Sequence, residues 1–251
     1  MSATIPQVPD DILGGAALLG KWLQAVRVND QLTIPGQWNP TLILKALLAG
    51  RPAAQWRGKK VLDIGACNGG LSIELARLGA DVHAVEPNDT ALRQFQYALK
   101  AISKSEKLKL RVEKGTLFTI DKTKKYDIVL FLGLVYHFRY PQLVLDYLGG
   151  FDADCFFISS QTFQSERLVM LNRKEATPQF YGKSVLAGYH PSRPLLKSMI
   201  EWAGFKNVRE LVTSETGRDF EDRVHHITNS AYYIAERGVP VHYEQAKDVY
   251  M

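Results

Sequence analysis

Two glycines and an acid carry the clearest chemical signal in this chain. The apolar run Val61-Leu62-Asp63-Ile64 turns on Gly65-Ala66-Cys67-Asn68-Gly69-Gly70, and a second apolar run, Ala84-Val85, ends at Glu86-Pro87. Glu86 lies 21 residues after Gly65. Val61 to Ile64 reads as a buried parallel strand, Leu71 to Leu78 as the helix that follows, and Val82 to Val85 as the next strand. Gly65 and Gly69 have no Cβ, so the backbone there can come close to a ligand. An acid at the carboxyl end of the second strand can accept two ribose hydroxyls as charge-assisted hydrogen bonds. The layout builds a site for a nucleoside.

The glycine spacing separates two cofactor classes. A dinucleotide needs G-x-G-x-x-G, because a helix N-terminus must meet a pyrophosphate. Here the spacing is G-x-x-x-G, with Cys67 in the middle glycine's place. S-adenosylmethionine has no phosphate and carries a positive sulfonium, so it needs no such seat. The pattern resembles the first motif of the class I S-adenosylmethionine-dependent methyltransferases. That resemblance implies a Rossmann-like α/β fold: a seven-stranded sheet of order 3-2-1-4-5-7-6, its last strand antiparallel, with helices on both faces.

A second segment narrows the resemblance. Tyr126 to Leu132 is a hydrophobic strand, and it runs into Leu132-Gly133-Leu134-Val135-Tyr136-His137. This L-G-x-x-Y-H ending resembles the methyltransferases that modify the wobble uridine of tRNA, and their small-molecule O-methyltransferase relatives. Thr33-Ile34-Pro35-Gly36-Gln37-Trp38-Asn39-Pro40 and the stretch from Pro191 to Phe205 resemble elements of the same group. There are departures. The tRNA-modifying members have a longer N-terminal region, and their carboxylated cofactor needs an arginine just before the last strand, where this chain has Ser230. Ordinary S-adenosylmethionine is therefore the expected cofactor.

The resemblance implies roles for individual residues. Asp63 steadies the loop and the amino end of the methionine moiety. Gly65, Ala66 and Gly69 lie beneath the cofactor. Glu86 takes the ribose, Pro87 and Asn88 flank the adenine, Thr116 and Leu117 contact its ring, and Leu132 and Gly133 close the site. A hydroxyl acceptor must also lose a proton, and His is the usual base near neutrality. His137, at the carboxyl end of the fourth core strand, is the candidate base, and Tyr136 beside it lines cofactor or acceptor. Tyr189, His190 and Trp38 are the candidate acceptor contacts. Either histidine can instead be structural. His225 and His226 lack an acidic partner at metal-site spacing, so no metal is expected. Arg167, Arg173, Lys174 and Lys183 can hold an anion or line a solvated loop.

The elements that must position these residues follow from pattern. Residues 1–55 read as an N-terminal helical addition or lid, with Leu18, Trp22 and Val26 on one face of a helix from Gly14 to Val28, and a turn at Thr33 to Gly36. Residues 56–237 read as the methyltransferase domain, with an acceptor-side insertion near 163–190, and 238–251 as a tail. Hydrophobic content of 46% fills a core for one such domain in 251 residues. The apolar runs are too short to span a bilayer, and the N-terminus lacks the features of a signal peptide. Cys67 and Cys155 cannot form a disulfide framework, so a cytoplasmic setting is expected. A net charge of +5 permits an anionic partner but includes no long basic block. Three functions stay open: methylation of a hydroxyl on a small molecule or sugar, which the short N-terminus favours; a tRNA wobble-uridine transferase; and a non-catalytic S-adenosylmethionine-binding protein.

Overall fold

The computed structural model of the chain describes residues 10–163, 165–172, 189–211 and 230–241. They fall into two compact units. One holds the chain up to Ile120 together with Ile128–Leu130, the other Asp121–Asp127 and the chain from Phe131 onward.

The first unit contains α1 (Ile12–Ala17), β1 (Val26–Arg27), β2 (Thr33–Ile34), α2 (Thr41–Gly50), β3 (Lys60–Ile64), α3 (Gly70–Arg77), β4 (Asp81–Glu86), α4 (Asp89–Ile102) and β5 (Leu110–Lys114). Strand β6 (Tyr126–Phe131) divides between the units. The second unit then contains α5 (Pro141–Gly149), β7 (Ala153–Gln161), β8 (Met170–Asn172), β9 (Tyr189–Pro191), α6 (Arg193–Trp202), β10 (Lys206–Glu210) and β11 (Ser230–Glu236).

Seven strands form one sheet in the order β10-β11-β7-β6-β3-β4-β5. Numbered by their own succession and read from β5, these are strands 3-2-1-4-5-7-6, as the resemblance implied. Strand β11 runs antiparallel to both β7 and β10, while β3, β4 and β5 are mutually parallel. The central strands are apolar on both faces: Val61, Leu62, Val82, Ala84, Ile128, Val129 and Leu130 are all buried. Helix starts follow local chemistry. The Asn88 side chain caps α4 by accepting from the Ala91 N–H, and the Ser192 side chain caps α6 by accepting from Leu195. Pro141 opens α5, where its missing N–H costs nothing.

The N-terminal segment differs from its sequence reading. No helix runs from Gly14 to Val28. Helix α1 stops at Ala17, and Gly20 adopts φ +83°. The Trp22 indole N–H donates to the Ala16 carbonyl, folding the chain back. Leu18, expected to share a face with Trp22 and Val26, is 88% exposed, while those two are buried. Val26 instead pairs with Ile34 in a small hairpin, so Thr33 and Ile34 are strand rather than turn. The turn lies at Asn29, whose side-chain oxygen accepts from Gln31 and Leu32 N–H groups. A helical spacing of three apolar residues was overridden by a glycine and by long-range packing.

Of the expected insertion near 163–190, the described part includes β8 and β9, an antiparallel pair with Leu171 opposite His190. Arg173, Lys174, Lys183, His225 and His226 lie outside the described residues.

Candidate active site

The first unit gathers polar groups at the carboxyl ends of β3 and β4. Gly65 turns the chain with φ +69°, and its N–H donates to the Val85 carbonyl. Cys67 adopts φ +56°, a left-handed conformation uncommon outside glycine. That conformation accompanies a specific bond: the Cys67 N–H donates to Glu86 Oε2 at 2.7 Å, while the Asn88 N–H donates to Glu86 Oε1 at 2.7 Å. Glu86 is only 5% exposed. Burial raises its pKa, against the lowering effect of the two N–H donors. Each carboxylate oxygen accepts one of these bonds and has a second acceptor position.

Asp63 is buried beside it and accepts a hydrogen bond from the Ser72 hydroxyl. Burial pushes its pKa up to about 7, helped by the charge of Glu86 and opposed by Ser72. Burial, with the nearby Glu86 charge, also pushes the Cys67 thiol to about 12, which makes it a poor nucleophile. Two buried acids at the end of a βαβ unit suit a cationic ligand that carries neighbouring hydroxyls. They repel a pyrophosphate. The donor set therefore fits S-adenosylmethionine and does not fit a dinucleotide.

The other residues expected on this side are nearby but do additional work. Asn88 spends its side-chain oxygen on capping α4. Thr116 caps a 3-10 turn at Leu117–Thr119, accepting from the Phe118 N–H, and Leu117 is buried. Gly115 reaches the Glu86 carbonyl through its N–H, which holds this turn beside the acid. Gly69 has φ +82°, and a Cβ there would fall 2.1 Å from the Phe95 ring. Packing against Phe95 therefore already requires that glycine. Trp38 is half-buried, its backbone bonded to Leu23 and Ala25.

The second unit gathers the other candidates. Gly133 follows β6 with φ +65°, and its N–H donates to the Ser159 hydroxyl at 2.8 Å. A 3-10 turn at Val135–His137 comes next. The Tyr136 and His137 rings are 4.0 Å apart, and Tyr136 stacks on His190 at 5.4 Å with an interplanar angle of 17°. His190, on β9, is 1% exposed, and Tyr189 beside it is half-buried. Tyr136, His137 and His190 thus form one cluster within this unit, while Trp38 belongs to the other unit. Among the described residues, no group of three His, Cys, Asp or Glu is placed to hold a metal. Among them also, no helix is long and apolar enough to cross a membrane.

Sequence reading missed four contributors. Cys67 offers its amide to Glu86, Ser72 holds Asp63, Ser159 holds Gly133, and Asn68 bonds the N-terminal segment. Asn68 lay inside the motif itself. Cys67 did too, but the role of its amide had no sequence signal, and Ser72 and Ser159 lay outside the residues that carried the pattern.

Comparisons with known proteins agree with this architecture. Residues 61–146 match the family described as a methyltransferase domain. A ubiquinone biosynthesis O-methyltransferase of Roseobacter denitrificans is 27% identical over 198 residues, covering 76% of this chain and 73% of that protein. The N-terminal domain of EvdMO1, crystallised in the presence of S-adenosylhomocysteine and D-fucose, superposes with a TM-score of 0.67. It is 19% identical and covers 94% of this chain and 100% of that one. Magnesium protoporphyrin IX methyltransferase (ChlM) from Synechocystis PCC 6803, with bound S-adenosylmethionine, gives 0.54 at 16% identity, covering 79% and 78%. The fold is that of the class I methyltransferases. The match to the methyltransferase domain family runs from Val61 in β3 into α5, and so includes the glycine loop and Glu86.

Proposed function

We propose that this protein transfers the methyl group of S-adenosylmethionine to a hydroxyl of a small molecule or sugar. One observation carries the reading. The buried Glu86 carboxylate takes one backbone N–H on each oxygen, which fixes its plane and keeps an acceptor position on each for a vicinal diol. A ribose presents such a diol. The neighbouring buried Asp63 is assigned to the amino end of the methionine moiety, whose positive charge favours the ionised carboxylate once bound. Gly65, Ala66 and Gly69 underlie the cofactor. Pro87, Asn88, Thr116 and Leu117 border the adenine, and Leu132 and Gly133 close the site.

The sulfonium supplies an already activated methyl group, so the protein must align an acceptor and take its proton. His137 is the proposed base and Tyr136 holds its ring in place. His190 and Tyr189 contact the acceptor, and Trp38 is assigned to the same role. The hydroxyl acceptor is supported by the similarity to an O-methyltransferase and to a domain crystallised with a sugar. The domain limits proposed are 56–237, with 1–55 as the N-terminal addition, 163–190 as the acceptor-side insertion and 238–251 as a tail. Sparse cysteine favours a cytoplasmic setting.

The test is transfer of labelled methyl from S-adenosylmethionine to three pools: hydroxylated small metabolites and sugars, bulk tRNA, and buffer alone. Label in the first pool, alkali-stable as an ether, is the expected outcome. Label in tRNA alone replaces the acceptor class with a nucleoside of RNA. Cofactor binding without transfer to any pool leaves a binding protein.

A further inference from the structure

Helix α3 begins without a cap of its own. Its N-cap residue is Gly69, which has no side chain to accept from the first N–H groups. The missing acceptor arrives from 47 residues away. Gln24 Oε1 accepts the Leu71 N–H at 3.1 Å. Gln24 also makes a reciprocal backbone pair with Asn68: its N–H donates to Asn68 Oδ1 at 2.9 Å, and Asn68 Nδ2 donates to its carbonyl at 2.7 Å. A longer contact of 3.5 Å runs from Gln24 Nε2 to the Ala66 carbonyl. Gln24 and Asn68 are both buried.

The approach is close enough to explain two further glycines. A Cβ on Gly70 would sit 2.6 Å from the Ala25 carbonyl oxygen, and one on Gly36 would sit 2.2 Å from the backbone of Gln24 and Ala25. Only glycine admits this contact on either side. Gln24 and Asn68 therefore touch the glycine loop at three points, Ala66, Asn68 and Leu71. One of the two amides that fix Glu86 belongs to Cys67, which lies between Ala66 and Asn68.

We propose that Gln24 and Asn68 form a clamp through which the N-terminal segment sets the conformation of the cofactor loop, making both positioning residues for S-adenosylmethionine. The clamp rests on the cofactor reading above. It makes Gln24 part of the cofactor site's support, although that residue precedes the family match.

A second buried amide, on α4, holds the same segment and separates positioning from mere support. Gln94 Nε2 donates to the Leu19 and Lys21 carbonyls and touches no atom of the glycine loop through those bonds. The experiment pairs calorimetric affinity for S-adenosylhomocysteine with the melting temperature of the full chain. Gln24→Met keeps the side chain's length and removes its hydrogen bonds; it is expected to weaken binding about tenfold. Gln24→Glu keeps the oxygen that caps α3 and is expected to recover most of that loss. Asn68→Asp keeps the acceptor and removes the donor, so it tests the other half of the clamp should Gln24→Met fail to fold. Gln94→Met is expected to lower the melting temperature with affinity unchanged within about twofold. The proposal is overturned if Gln24→Met and Asn68→Asp melt lower yet bind as the parent does. It is equally overturned if Gln94→Met weakens binding as much as they do. A parent chain that does not bind S-adenosylhomocysteine overturns the cofactor reading, and the clamp with it.

Discussion

The glycine loop and the Tyr136 cluster hold their candidate groups by different means. Around Glu86 the direct contacts are made by backbone: amides of Cys67 and Asn88 meet the carboxylate, in a loop with left-handed turns at Gly65, Cys67 and Gly69. Around His137 ring packing contributes, with Tyr136 against the imidazoles of His137 and His190 and the preceding Gly133 tied to Ser159. Backbone hydrogen bonds define a geometry that survives many side-chain changes. Ring packing depends on the side chains themselves. A fold that serves one cofactor and many acceptors is expected to divide its labour in this way.

The sharpest break of that comparison is at His137. With His137 as the base, His137→Ala lowers kcat by about 10²–10⁴-fold, the usual contribution of a positioned base. Affinity for S-adenosylhomocysteine is expected to stay within about twofold, because the side chain belongs to the acceptor cluster. Single-turnover rates and calorimetry together check this. Normal turnover in the variant would return His137 to a structural role.

The next effect is a pH dependence. Asp63 has its pKa raised by burial from 3.8 to about 7. Between those values the folded chain keeps a proton that the unfolded chain has released. The contribution of Asp63 to stability is therefore complete below about pH 4, falls as pH rises, and levels off above about pH 7. The span is at most about 4 kcal/mol, from a shift of about three units at 1.36 kcal/mol each. Asp63→Asn is expected to flatten this slope in the ligand-free protein, read as melting temperature against pH for variant and parent. Equal slopes would show that Asp63 is ionised in the folded chain throughout.

Glu86 comes third. Glu86→Ala is expected to weaken S-adenosylhomocysteine binding by about 1.5–3 kcal/mol, the range for hydrogen bonds to a charged group. Unchanged affinity in a folded variant would remove Glu86 as the ribose ligand. Together with His137→Ala it separates the two regions: one variant loses binding, the other turnover.

The division also explains what the sequence could reveal. The βαβ unit was legible, because the apolar runs, Gly65 and Glu86 act over short spans, and the strand order came with the resemblance that those residues carry. The antiparallel last strand, β11, followed from the resemblance. The helix expected across Leu18, Trp22 and Val26 failed because periodicity cannot register Gly20's positive φ or the bond from the Trp22 indole to Ala16. The cap that Gln24 gives α3 was invisible for a related reason: a glutamine in an irregular segment has no local signature of a helix start 47 residues on. The Tyr136–His190 stack joins residues 54 apart, so only the structure could bring it out.

The smallest expected effect lies where backbone and ring positioning meet. The Gly133 N–H donates to the Ser159 hydroxyl at 2.8 Å and lies 3.2 Å from the Ser159 carbonyl oxygen, to which it also donates. Ser159→Ala removes the first acceptor and leaves the second, so Gly133 is not stranded. The loss of stability is expected at about 0.5–1.5 kcal/mol, the net worth of one hydrogen bond. With Glu86 as the ribose ligand and Gly133 still held by its second bond, cofactor binding should hold. Turnover should fall by less than about tenfold, since the loop that leads to Tyr136 and His137 keeps its remaining bond and its ring contacts. Denaturant melts with kcat measured on the same preparation provide the check. A large fall in kcat from so small a change would mean that the acceptor side, too, is set chiefly by its backbone, and that rings at Tyr136 and His190 follow the position of Gly133 instead of determining that of His137.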